Sequence, residues 1–298
     1  MHTTSLAHPL SKTALPLWVF VLVGLLPAAA FAAPAKATPT KVVSEKIAFQ
    51  VADPASKGKT SIAEILPKSI PGVTTKSVSL VGPTTWTQNQ AGDENYILLF
   101  LDGQGTLLAN QNAYEIDGET IARAPMGWKL QVLVNAGKVL NFLSIRKEIT
   151  AEDKTEIAKY PANNAAPWVK RYSECIPYNE AIKSAKTISR TLLPKNYVPR
   201  VALGTVQTTG PDKVGLHEHP MLEQLFLGLR GNDIIVHANE ANAALGEFHL
   251  MVIPHASMHG ASVVEGKNLH YVWMDFFNDT AGQAWLDNHK DIAPGQKY

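Results

Sequence analysis

Short apolar runs separated by turn residues make up most of the chain. "NYILLFLDG", "TLLANQNAYEIDGETIARAP", "LQVLVNAG" and "KVLNFLSIRK" fill residues 95–147, and "EQLFLGLRG", "DIIVHANEANAALGEFHLMVIP" and "GASVVEGKNLHYVWMDFF" fill residues 223–277. The runs are rich in Val, Ile, Leu, Phe and Tyr, and Gly, Asn, Asp or Pro breaks them every 8–12 residues. That rhythm predicts an all-β sandwich or barrel rather than βαβ units.

The two stretches also match each other. Shifted by 129 residues, 94–140 aligns with 223–269, and nine of the 47 pairs are identical, among them Glu94/Glu223, Pro125/Pro254 and Gly137/Gly266. Ordinary residue frequencies would give roughly three. Upstream, "GPTTWTQNQ" parallels "GPDKVGLHEH" with a one-residue slip. A self-match at one offset indicates a duplication. The expected organisation is a first β domain over 56–150, a polar connector over 151–180 with some helix, and a second β domain over 181–298. A short helix is expected over Pro177–Pro194, and 33–55 is expected to be an extended, partly mobile lead.

The first 32 residues read differently. Lys12, an apolar run from Ala14 to Leu26 and the small residues Ala30-Phe31-Ala32 have the layout of a secretory signal cleaved after Ala32. The apolar run is 13 residues, against the roughly 20 needed to span a bilayer. Export to a periplasm, with no membrane span left after processing, is the expectation. The 298 residues carry 27 Lys and Arg against 26 Asp and Glu, a net charge of +1, so nothing marks a nucleic-acid-binding surface. Cys175 is the sole cysteine, which rules out an intrachain disulfide and suits a buried small hydrophobe better than a nucleophile.

Histidine is unevenly spread: seven of ten lie between His217 and His270, and none between His8 and His217. In a strand, residues two apart share a face, so His217 and His219 place two imidazoles side by side. Glu223, at an even spacing, joins them if the strand continues, and His259 from "PHASMHG" is a natural fourth donor. Three imidazoles and a carboxylate suit one divalent transition metal such as Fe, Mn, Ni or Zn.

These motifs resemble those of the cupin superfamily. The first motif reads Gly210, His217, His219, Glu223 and Gly231, with one extra residue beside each Gly; the second reads Gly246, Pro254, Ala256 and His259. Ala256 stands where Gly is usual and Val263 where Asn is usual. The resemblance implies two jelly-roll (double-stranded β-helix) barrels with a few short helices, a bicupin. At the positions matching the four donors the first half carries Gln88, Gln90, Glu94 and Leu130, so it is expected to hold no metal and to act as scaffold, dimer contact or cover. A homodimer would use such a contact.

Other candidates belong to the second half. Tyr271 and His255 are the acid–base candidates, with Asp275 a further one, and Arg200 and Met221 are candidates for contact with a small-molecule substrate. The strand 270–277 sets His270, Val272 and Met274 on one face and Tyr271, Trp273 and Asp275 on the other, and alternation alone leaves open which face lines the pocket. The resemblance implies a metal-dependent enzyme on a small oxygenated organic molecule, with dioxygenase chemistry slightly ahead. A decarboxylase, lyase or isomerase, and a non-catalytic sugar or organic-acid binder, are the alternatives.

Overall fold

A computed structural model describes residues 40–49, 56–288 and 290–291; the expected leader lies outside them. Among the described residues no helix is long and apolar enough to cross a membrane. The chain from Pro39 onward is one compact unit that contains both repeats.

In the second half an eight-stranded sheet faces a four-stranded sheet. The larger is centred on Leu222–Gly228, Asn268–Phe277 and Val201–Thr209; the smaller holds Asp212–His217, His259–Val263, Asp233–Ala238 and Ala241–Gly246. The space between them is filled by Val206, Phe226, Met251 and Tyr271 from one side and Val214, Ile234, Val236 and Leu245 from the other. The first half repeats this plan around Val73–Val81, Glu94–Ala109 and Val139–Glu148. Its Glu94–Ala109 strand runs through both sheets, with a register shift between Phe100 and Asp102, whereas the second half breaks the same course into two strands.

The unbroken apolar runs now have a cause. Leu98 and Phe100 point into the first barrel, while Ile97, Leu99 and Leu101 point out of it. Leu225, Leu227, Val272 and Met274 likewise point out of the second barrel, and all these outward residues share one apolar layer. Strands buried on both faces lose the alternation of a half-exposed sheet. Cys175 lies in this layer, and burial pushes its thiol up to about 12, which makes it packing rather than a nucleophile.

Several elements depart from expectation. Residues 177–194 form strands, Ile176–Asn179 and Ile188–Leu193, not a helix. Ile188, Thr191 and Leu193 suit extended backbone, and antiparallel pairing with Val201–Thr209 supplies the hydrogen bonds that decide the matter. The lead is more than mobile chain, because Val43–Lys46 pairs with His249–Val252. The connector contains the helix Ala151–Lys159, then gives Trp168–Arg171 to the first half and Ile176–Asn179 to the second.

The two Gly-Pro steps mark equivalent points of the repeat. A Cβ on Gly82 would stand 1.9 Å from the Asn135 carbonyl oxygen, and one on Gly210 1.8 Å from that of Val264. Backbone cannot yield as a flexible side chain does. Gly210→Ala is expected to cost at least about 2 kcal/mol in denaturant unfolding, near the upper range for overpacking; an unchanged midpoint would contradict the close approach.

Candidate metal centre

The strand Asp212–His217 bends before it ends. Its register against His259–Val263 shifts between Val214 and His217, and the shift sets His217 opposite His259 while Leu216 turns out to solvent. His219 follows beyond the strand end, 3% exposed. Together the three histidines offer ring nitrogens that all lie within 4.8 Å of one another, a cluster that could hold a metal ion. Their ring centroids are 4.4–5.3 Å apart.

Backbone carbonyls orient two of the rings. His217 Nδ1 donates to Gly215 O at 2.8 Å and His259 Nδ1 to Ser257 O at 3.0 Å, so each presents Nε2 as the lone-pair nitrogen. His259 Nε2 is buried with no hydrogen-bond partner among the described residues. Burial, with the neighbouring His217, pushes the pKa of His259 down to about 4, and burial lowers His217 as well. Neutral imidazoles are the form that binds a cation.

Glu223 does not join them. The strand stops at His217, the chain turns at Pro220, and a new strand begins at Leu222, so the parity that linked Glu223 to the histidines is lost. Leu222 and Phe226 pack inside the barrel and Gln224 lines its cavity, while Glu223 faces out, with Oε1 3.2 Å from His255 Nδ1. Glu223→Gln is therefore expected to change Mn(II) affinity by less than about twofold in a calorimetric titration, as suits a partly exposed pair; a large loss would restore it as a donor.

The cavity beside the histidines has about 320 Å³ of empty space, part of it open to solvent. Tyr271, Trp273 and Asp275 line it, which settles the face of their strand; Val272 and Met274 pack in the layer between the barrels. Burial raises Asp275 to about 7 against the pull of a hydrogen bond from Gln224 Nε2 at 2.7 Å. Burial likewise lifts Tyr271 well above the ordinary phenol range. The segment after Ile176–Asn179 adds Glu180 and Lys183, paired at 2.6 Å, with Lys183 Nζ 3.0 Å from Tyr178 Oη. Burial opposes the Lys183 charge, but Tyr178 and Glu180 outweigh it and its pKa lies above the usual value. Trp285 closes another side, edge-on to His219 at 4.3 Å.

Of the other candidates, His255 lies outside the cavity, with its side chain 45% exposed beside Glu223. Arg200 is taken by Asp153 through bonds of 2.7 and 2.6 Å, so its guanidinium holds the connector helix and not a substrate. Met221 packs against the barrel core and does not line the cavity. Sequence reasoning missed Lys183, Glu180 and Trp285, whose segments carry no motif.

In the first barrel Gln88 pairs with Leu130 in the register that His217 shares with His259. Gln90 gives its amide hydrogens to Pro125 O and Trp128 O, both at 3.2 Å, and accepts from Tyr96 N. Glu94 binds Arg146 Nε at 2.5 Å. Glu94 and Glu223 are not counterparts. Tyr96 pairs with Arg146 as Gln224 pairs with Asp275, so the repeat slips by one residue before these strands, and such a slip exchanges faces.

No protein-family profile matches the sequence, and no curated protein matches it significantly. Solved structures do. A protein named as glyoxylate-induced, from Pseudomonas aeruginosa, superposes with a TM-score of 0.59 at 12% identity over 80% of this chain and 83% of its own. A cupin 2 conserved barrel domain protein from Leptotrichia buccalis gives 0.52 at 14% identity over 74% and 90%. An oxalate decarboxylase gives 0.55 at 11% identity over 82% and 79%. The chain has a bicupin fold. At such identities the likeness speaks for the bicupin architecture alone, and the chemistry must be argued from the cavity. In this bicupin the three-histidine cluster lies in the second barrel; Ala256, where a cupin motif usually has Gly, takes φ +51°, the left-handed region that Gly occupies without strain.

Proposed function

We propose that the second barrel binds one divalent transition metal on His217, His219 and His259, and that the protein is an exported enzyme acting on a small oxygenated organic molecule. The convergence of three lone-pair nitrogens beside a small cavity carries this reading. The donor chemistry fits the ion: Fe, Mn, Ni and Zn all accept imidazole, and the buried Nε2 of His259 otherwise has no partner among the described residues. Held by these three histidines, such an ion would supply Lewis acidity toward a substrate oxygen.

The chain's own residues supply the rest. Tyr271, Asp275, Glu180 and Lys183 share the cavity with His217 and His219, so groups able to give and take protons stand beside the bound molecule. Trp273, Phe226 and Trp285 exclude water around it. A site furnished in this way favours proton-moving chemistry (decarboxylation, elimination or isomerisation) over the dioxygenase expectation, which needs fewer such groups. A non-catalytic binder would need none.

The test is elemental analysis of natively purified protein, followed by turnover of small hydroxy- and oxo-acids with metal-loaded and metal-stripped protein. We expect one metal per chain, turnover only when loaded, and at least about a hundredfold loss in Tyr271→Phe and Asp275→Asn, the low end for general acid–base catalysis at 10²–10⁴-fold. Unchanged turnover after stripping would reject the metal role. Protein expressed from the full chain should be recovered outside the cytoplasm with its amino terminus at Ala33; cytoplasmic protein that keeps the leader would reject export.

A further inference from the structure

Gln224 has a divided environment. It is 5% exposed, and its Nε2 donates to Asp275 Oδ1 at 2.7 Å, while its Oε1 is buried with no hydrogen-bond partner among the described residues. Asp275 Oδ1 accepts from the NH₂ end of the amide, which leaves the carbonyl oxygen turned the other way. The two residues are direct neighbours across paired strands, and Asp275 is itself 1% exposed, so the arrangement has little freedom. A buried carbonyl left without a partner carries a desolvation cost unless something binds it.

Gln224 and two of the histidines line the same cavity. Building on the metal reading above, we infer that Gln224 Oε1 is a fourth, neutral metal donor held in place by Asp275, and that the site therefore selects an anionic ligand. Three neutral imidazoles and an amide oxygen bring no formal charge, whereas a carboxylate in that place would bring −1. No atom of this donor set offsets the double charge of the ion, which leaves an anionic ligand favoured at the metal itself. The substrate class is a small carboxylate, or an acid that binds as its enolate, chelating through two oxygens. Asp275 is a positioning residue in this arrangement.

Mn(II) is the probe, titrated calorimetrically into the metal-stripped mature chain and followed by electron paramagnetic resonance, with oxalate then added as the smallest chelating dicarboxylate. Gln224→Leu and Asp275→Leu are expected to weaken Mn(II) binding about 10-fold or more, the range for residues supporting a metal site. Asp275→Asn keeps an acceptor for the amide and should stay within about threefold of the parent, which a purely electrostatic role would not allow. Gln224→Glu, nearly isosteric, should tighten Mn(II), weaken oxalate on the loaded protein by about tenfold, and alter the resonance spectrum. It stays informative if the leucine variants fail to fold.

Parent-like Mn(II) binding and spectrum in Gln224→Glu would overturn the donor role. Equal losses in Asp275→Asn and Asp275→Leu would overturn the positioning role. Tighter binding of both Mn(II) and oxalate by Gln224→Glu would overturn the charge selection. His259→Ala runs alongside: if it loses Mn(II) while the Gln224 variants do not, the three-histidine site stands and only this inference fails; if it binds like the parent, the metal site itself is wrong.

Discussion

His259→Ala is expected to abolish tight metal binding, with Mn(II) or Zn(II) affinity falling more than about 100-fold. Losing a group that merely orients a metal ligand already costs about 10–100-fold, and His259 is a lone-pair donor with its other nitrogen fixed on Ser257 O. The loss should also appear as stability. A ligand at 100 times its Kd stabilises the folded state by about 2.7 kcal/mol, so added metal should lift the parent's thermal midpoint and leave that of His259→Ala in place. His217→Ala should behave alike, because the register that opposes it to His259 makes the two one site. A variant that still binds tightly and is still stabilised by metal would remove the basis of the functional proposal.

The second large effect belongs to the scaffold. Asp153 is completely buried in the first turn of the helix Ala151–Lys159, where it closes a capping box with Thr150. Both its oxygens also meet the Arg200 guanidinium, and Lys147 Nζ lies 3.9 Å away. Burial works against the Asp153 charge, yet Arg200 and the backbone of Thr150 outweigh it and hold the carboxyl below its usual pKa. A depressed carboxyl stabilises the fold above its unfolded pKa, and that contribution disappears as pH falls through the folded value.

Asp153→Ala leaves two cations facing a gap and uncaps the helix. Breaking a buried pair in this way costs about 3–5 kcal/mol, which for a chain of this size lowers the thermal midpoint by roughly 6–20 °C at about 2–4 °C per kcal/mol. Metal affinity measured well below the midpoint should hardly move. A double-mutant cycle with Arg200→Met isolates the pair, and additive losses would show that the two residues do not couple.

Much of this site was legible because its parts are close in sequence or repeated. His217 and His219 lie two residues apart, and the second motif placed His259 by its own spacing. Glu223 misled because its place was inferred from an unbroken strand, whereas the chain turns at Pro220 and restarts in the opposite parity. The identity of Glu94 with Glu223 reinforced the mistake, since a gap-free comparison cannot register a one-residue insertion. Arg200 had no visible partner in the sequence because Asp153 lies 47 residues upstream, across the connector.

Local information alone therefore determined the β class, the duplication, the placing of the histidines in the later repeat and the absence of imidazoles at the matching positions of the earlier one. These follow from apolar rhythm, turn residues and short spacings, which act over a few residues. Folding in three dimensions decided that Gln224 rather than Glu223 enters the cavity, that Asp275 orients it, and that Lys183 and Glu180 wall the site. Each of those outcomes depends on which strands pair and in what register, and register is set by packing between segments far apart along the chain.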